Sequence, residues 1–135
     1  MDNKIVALSK YRLQKAQEDL YSSEILFNIE RFSQSLNRSY YAMFHATRAL
    51  LAYDKFDSKS HSGILAFFNQ HYIKTGKIDI KFFAMLTLAQ KLRTNSDYDD
   101  FYIASKEEAG LQLKNAQEFI EEKKNYISSI NPSAN

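Results

Sequence analysis

The chain has 135 residues, 44% apolar and 25% charged, with a net charge of +2. That fits one domain with a core of its own, argues against disorder, and is too weakly basic to imply polyanion binding by itself. Three glycines, one proline and no cysteine exclude an all-β fold rich in tight turns, a glycine-rich phosphate loop, disulfides, thiol catalysis and thiolate zinc sites.

Apolar spacing predicts five helices. The first runs from Ser9 to Glu30, with Leu13, Ala16, Leu20 and Phe27 on one stripe. The second starts at Ser33 or Ser35, either a suitable N-cap, and reaches Tyr53; its stripe is Leu36, Tyr40, Met43, Thr47, Leu50 and Leu51. The third runs from Ser60 to Lys74, carries Ile64, Phe67, Phe68 and His71 in register, and stops near Gly76. The fourth is capped by Asp79, carries Phe82, Met85, Leu86, Ala89 and Leu92, and gives way to a polar loop, TNSDYDD. The fifth opens with a capping box, Ser105 and Glu108, and continues through Ala109, Leu113, Ala116, Ile120 and Ile127. Short connections predict an all-α, antiparallel up-and-down bundle. Residues 1–130 are expected to form a single domain and 131–135 a polar tail, with fraying from Ser128. No apolar run approaches the roughly 20 residues of a membrane span, and the N-terminus lacks a signal-like stretch, so a cytoplasmic location is expected.

Charge is unevenly distributed. Between His61 and Ser96, Lys74, Lys77, Lys81, Lys91 and Arg93 face a single acid, Asp79; from Asp97 to Glu122 acids dominate. These stretches are either solvated faces that pair with each other or, in the basic part, a surface for phosphates.

The second helix is apolar on more than one side. Opposite its main stripe lie Arg38, Tyr41, Ala42, His45, Ala49 and Ala52. The small alanines admit another backbone, either within the fold or in a second subunit. Arg38 and His45, seven apart, differ by only about 20° around the axis and about 10.5 Å along it. Such a pair could straddle a phosphodiester. Equally, Arg38 could pair with an acid of a neighbouring helix, and His45 could be a satisfied core histidine.

The string NRSYYAMFHATRALLA (37–52) resembles the signature helix of HEPN domains, in the branch of short stand-alone prokaryotic proteins. YRLQKAQEDLYSSEILF, KSHSGILAFFNQHYIKTG, LRTNSDYD and EEAGLQLKNAQEFI resemble the other family elements, in the same order. The resemblance implies a helical bundle that dimerises through the motif helix, and an Arg and a His separated by four to six residues. Arg38 and His45, with six between them, match its long end. In catalytic members this pair implies a metal-independent ribonuclease, in many cases a toxin encoded beside a small nucleotidyltransferase. Other members are noncatalytic modules that bind RNA, nucleotide or a partner protein. In one toxin branch a Tyr two residues after the His is modified with AMP; Thr47 stands there.

The residue chemistry is compatible with that activity. RNA is cleaved when its 2′-OH attacks the adjacent phosphate, which requires a base, an acid and positive charge. His45 supplies proton transfer and Arg38 permanent charge; a homodimer would bring a second copy of each. Asn37 and Tyr41 are candidates to orient His45 or contact RNA, and His61, Arg93, Asp97 and Tyr98 to support the site. The three histidines are isolated and DYDD lacks calcium-loop spacing, so no metal site or cofactor is expected. Two functions follow: an RNA-cleaving toxin or defence ribonuclease, and a noncatalytic HEPN module binding nucleotide, RNA or a nucleotidyltransferase partner.

Overall fold

A computed structural model describes residues 2–132. It contains five α-helices: α1 (Asn3–Asn28), α2 (Phe32–Leu51), α3 (His61–Phe68), α4 (Ile80–Tyr98) and α5 (Lys106–Ile130). A short 3-10 turn extends α2 through Asp54, and a π turn, Asn69–Ile73, extends α3. The starts of α1, α3, α4 and α5 are fixed by side-chain caps. Asp2, Ser60 and Asp79 accept from the backbone N–H of Lys4, Gly63 and Lys81 at 2.8, 3.0 and 2.8 Å. Ser105 and Glu108 form the expected reciprocal box. Gly76 takes φ 78° just after the π turn, a left-handed position that favours glycine.

The long helices α1, α2, α4 and α5 run up, down, up, down. Ser9 meets Ala49 while Ser23 meets Ser35 and Ser39, so α1 and α2 are antiparallel. Tyr41 meets Arg93 and Asn37 meets Asp97, so α4 opposes α2 as well. The central helix is α2: twelve of its twenty residues are buried. Tyr40, Met43, Leu50 and Leu51 of its main stripe pack into one core with Ile64, Phe68, Leu86, Ala116 and Phe119, and Leu36 packs into a smaller cluster with Ala104 and Ala109.

Its small-residue side is also covered, and by the same chain. Ala42 and Ala49 are fully buried under α1, and the Ser9 hydroxyl donates to the Ala49 carbonyl at 2.8 Å. Of the two places for a close backbone contact, the intramolecular one is occupied. The contact is possible because α1 presents Ser9, Arg12, Ala16 and Ser23, all buried, at helical spacing.

Several boundaries differ from the sequence expectation. α1 begins six residues early, and Ser9 lies within it. Neither Ser33 nor Ser35 caps α2; the Ser35 hydroxyl instead donates to the Ser23 carbonyl at 2.9 Å. α4 continues through TNSDY because Asp97 is held by Arg93 one turn earlier, 2.9 Å away. Those residues read as a loop because they face a polar site rather than the apolar core. α5 runs through Ser128 to Ile130, and Asn131 is buried beside Tyr53. The expected tail residues 133–135 lie outside the described residues. The basic and acidic stretches do pair with each other: Lys81 contacts Glu118 and Arg93 contacts Asp97, each at 2.9 Å. No helix among the described residues is long and apolar enough to cross a membrane.

Candidate functional site

Arg38, Tyr41, His45 and Arg48 recur at helical spacing on the side of α2 that faces away from the main core. Asp19 of α1 meets two of them. Its Oδ1 accepts from Arg38 Nη1 at 3.0 Å, and its Oδ2 lies 3.8 Å from His45 Nε2. The other edge of Arg38 donates from Nε and Nη2 to Asn37 Oδ1, at 3.0 and 2.6 Å. Asn37 Nδ2 donates to Asp97 at 3.2 Å, Asp97 pairs with Arg93, and Arg93 Nη2 donates to the Tyr41 hydroxyl at 3.1 Å. Both guanidinium groups also lie against the Tyr41 ring, 5.0 and 5.3 Å from its centroid. α1, α2 and α4 are thereby joined through one polar network. Arg38 does pair with an acid of a neighbouring helix, one of the alternatives open to it.

His45 is only 13% exposed, and its Nδ1 is buried with no hydrogen-bond partner. Burial first, then the positive charges of Lys15, Arg48, Arg38 and Arg12, push its pKa down to about 4. At neutral pH the ring is therefore uncharged and able to accept a proton. Burial raises the pKa of Asp19, and Arg38 works against that shift.

A cavity of about 600 Å³ opens beside His45, lined by Tyr41, Phe44 and Arg48 of α2 and by Asp57, Lys59 and His61. Its outer wall is tied down: Asp57 Oδ2 accepts from Arg48 at 2.9 Å and from the buried Arg12 at 3.3 Å. Ser58 sits so close to α3 that a Cβ on Gly63 would lie 2.3 Å from its hydroxyl. His61 lies with its Nδ1 2.8 Å from the Tyr40 hydroxyl and its ring 4.2 Å from that of Phe44. A second cavity, about 540 Å³, is lined by Asn37, Arg38, Ser96 and Asp97. Arg38 and His45 thus open onto different cavities, with Tyr41 at the edge of the first. Tyr98 is largely exposed, 5.9 Å from the Arg93 guanidinium. His71 lies on the surface and stacks on Phe67 at 4.1 Å. The Thr47 hydroxyl is buried and donates to the Met43 carbonyl at 2.9 Å, so it is not presented for modification. No three His, Asp or Glu side chains gather as a metal-binding group among the described residues.

Sequence reasoning did not find Asp19, Arg12, Arg48, Asp57 or Tyr40. One signal was present: Ser9, Arg12, Ala16, Asp19 and Ser23 form a stripe of small and polar residues beside the apolar stripe of Leu13, Leu20 and Phe27.

The HEPN domain family model matches residues 9–126, which takes in α2, both cavities and most of α1 and α5. The chain belongs to the HEPN domain family. Among its relatives is a Methanocaldococcus jannaschii protein named "Putative toxin MJ0142", 35% identical over 88% of this HEPN chain and 81% of the relative. A second protein of that organism, "Putative toxin MJ0605", is 29% identical over 85% of each chain. A Thermotoga maritima protein named "UPF0332 protein" is 30% identical over 83% of this chain and 85% of its own.

Proposed function

We propose that this HEPN protein is a toxin-type endoribonuclease that cleaves RNA without a metal ion, with Arg38 and His45 as its catalytic residues. The observation that carries the reading is the uncharged His45 beside an open cavity and among four cations. The neutral ring removes the proton of the 2′-OH, and the oxygen attacks the adjacent phosphorus. The bond to the 5′-oxygen breaks, that oxygen takes up a proton, and a 2′,3′-cyclic phosphate remains. Arg38 stabilises the additional negative charge of the phosphorane. Asn37, Arg93, Asp97 and Tyr98 support the site through the network around Tyr41. The leaving 5′-oxygen takes its proton from solvent, a homodimer would bring a second Arg38 and His45 to the substrate, and a small nucleotidyltransferase is the partner in this reading. The names of the two Methanocaldococcus relatives agree with a toxin, and a cytoplasmic site of action is part of this reading.

A noncatalytic module that binds RNA, nucleotide or the partner is the second reading. It is favoured by Asp19, which already engages Arg38 and flanks His45. Purified protein incubated with a mixed RNA pool and EDTA separates the two. The ribonuclease reading requires cyclic-phosphate products from wild type, and losses of about 10²–10⁴-fold in folded His45→Ala and a comparable loss in Arg38→Ala. Full cleavage by His45→Ala would remove His45 from the mechanism. Absence of cleavage by wild type, with retained nucleotide or partner binding, would establish the noncatalytic module.

A further inference from the structure

The cavity between α2 and the 57–61 segment holds a second histidine that the Arg38/His45 reading leaves unused. Tyr40 is fully buried, and burial holds its hydroxyl in the protonated form. The Gln90 side chain also hydrogen-bonds this hydroxyl and, with its amide N–H donating to the phenol oxygen, leaves the O–H to donate to His61 Nδ1, 2.8 Å away. A neutral imidazole that accepts at Nδ1 carries its proton on Nε2, on the other side of the ring. The ring cannot turn freely to exchange the two nitrogens. It lies 4.2 Å from the Phe44 centroid, and 5.8 Å from that of Tyr41 in edge-to-face contact. His45 lies 5.7 and 5.9 Å from the same two rings, so both histidines flank one aromatic pair and line one cavity. Arg48 and Lys59 add positive charge to that lining. An anionic oxygen is already accommodated there, since Asp57 Oδ2 receives both Arg12 and Arg48.

We propose that this cavity is a phosphodiester subsite in which His61, held by Tyr40, donates its Nε2–H to a phosphate oxygen of bound RNA. The proposal rests on the ribonuclease reading for the identity of the ligand, and gives that reading a phosphate contact from within the same chain. His61 touches the substrate; Tyr40 is a positioning residue that fixes which nitrogen carries the proton.

The dinucleotide dUpA tests this separately from catalysis, because it has the phosphodiester but no attacking hydroxyl. With ¹⁵N-histidine-labelled protein at pH 7, the free His61 should show the Nε2-protonated tautomer, and dUpA should shift its Nε2 resonance. A hydrogen bond to a charged oxygen corresponds to about tenfold or more in affinity. His61→Ala should weaken dUpA binding by that factor. His61→Gln, which keeps a donor near the Nε2 position, should recover most of it. Tyr40→Phe, folded by circular dichroism, should mix the His61 tautomers and weaken binding severalfold. No binding of dUpA to wild type, an unmoved His61 resonance at saturation, or wild-type affinity in His61→Ala overturns the proposal. If wild type cuts no RNA but His61 responds to dUpA as described, the ribonuclease reading falls and the subsite stands. If RNA is cut and His61 is silent, the reverse holds.

Discussion

Oδ2 of Asp19 lies 3.8 Å from Nε2 of His45, near enough to act through charge and too far for a hydrogen bond. The carboxylate is anchored at its other oxygen by Arg38. It therefore occupies a place that two oxygens of a phosphate could take, one on the arginine and one by the histidine.

Removing that charge should favour phosphate. Asp19→Asn retains the shape but deletes a negative charge next to Arg38, and RNA should bind severalfold more tightly. The check is fluorescence anisotropy with a short labelled RNA, compared at equal salt. Weaker binding by the folded variant would assign Asp19 to holding Arg38 in place for substrate.

The depressed pKa of His45 has a consequence for stability. Unfolded, the ring titrates near its ordinary 6.5; folded, near 4. Between these values the unfolded chain binds the extra proton, so stability falls as pH drops from about 6.5 to about 4, by at most about 3 kcal/mol from this group. Urea melts at pH 7, 5.5 and 4.5 should show a steeper loss in wild type than in His45→Gln. Equal slopes would count against a buried neutral ring.

Lys123 is fully buried within 4.9, 5.0 and 4.1 Å of the rings of Phe68, Phe82 and Phe119, with Glu122 as its carboxylate partner. Burial pulls its pKa down to about 8. Lys123→Met should stabilise the protein by about 1 kcal/mol or more at pH 7. That gain should shrink as pH rises from 8 toward 10.5, where the folded lysine has lost its proton and the unfolded one retains it. Thermal melts at pH 7 and 9.5 measure both effects.

Ala49→Arg would place a charged chain at the α1–α2 contact, where Ser9 bonds the Ala49 carbonyl. The expected result is a loss of roughly 3–5 kcal/mol in folding stability, seen as a large fall in melting temperature. Light scattering that found a folded monomer of wild-type stability would instead put this alanine between subunits.

Surface cations should differ in what they contribute to RNA binding. Lys81 pairs with Glu118 away from both cavities, whereas Arg48 lines the first cavity, where it shares Asp57 with Arg12. Arg48→Ala should lower the slope of log affinity against log salt by about one, and Lys81→Ala should leave it unchanged.

Helix starts were legible where a cap is a local event: Asp79, Ser60 and Ser105 each engage a backbone N–H within their own first turn. The face shared by Arg38 and His45 was legible for the same reason, since seven residues fix an angle. What surrounds those two residues was not. Asp19 sits in QKAQEDL, where either of two acids, Glu18 or Asp19, could have faced solvent, and only the antiparallel seat of α1 on α2 selects it. Lys123 likewise looks like an exposed member of EEKKN until α5 turns it into the phenylalanine cluster. The end of α4 was misjudged because polar residues that serve a network look the same as polar residues in a loop.

The network around Tyr41 draws on α1, α2 and α4, so its parts are made at widely separated times during synthesis. A chain still on the ribosome has Asp19, Arg38 and His45 before it has Arg93 and Asp97, which tie Tyr41 and Asn37 in place. Until the α4 segment has left the exit tunnel, the nascent protein cannot hold those side chains in their finished arrangement. A cell translating it therefore meets the completed site only after the α4 segment has emerged.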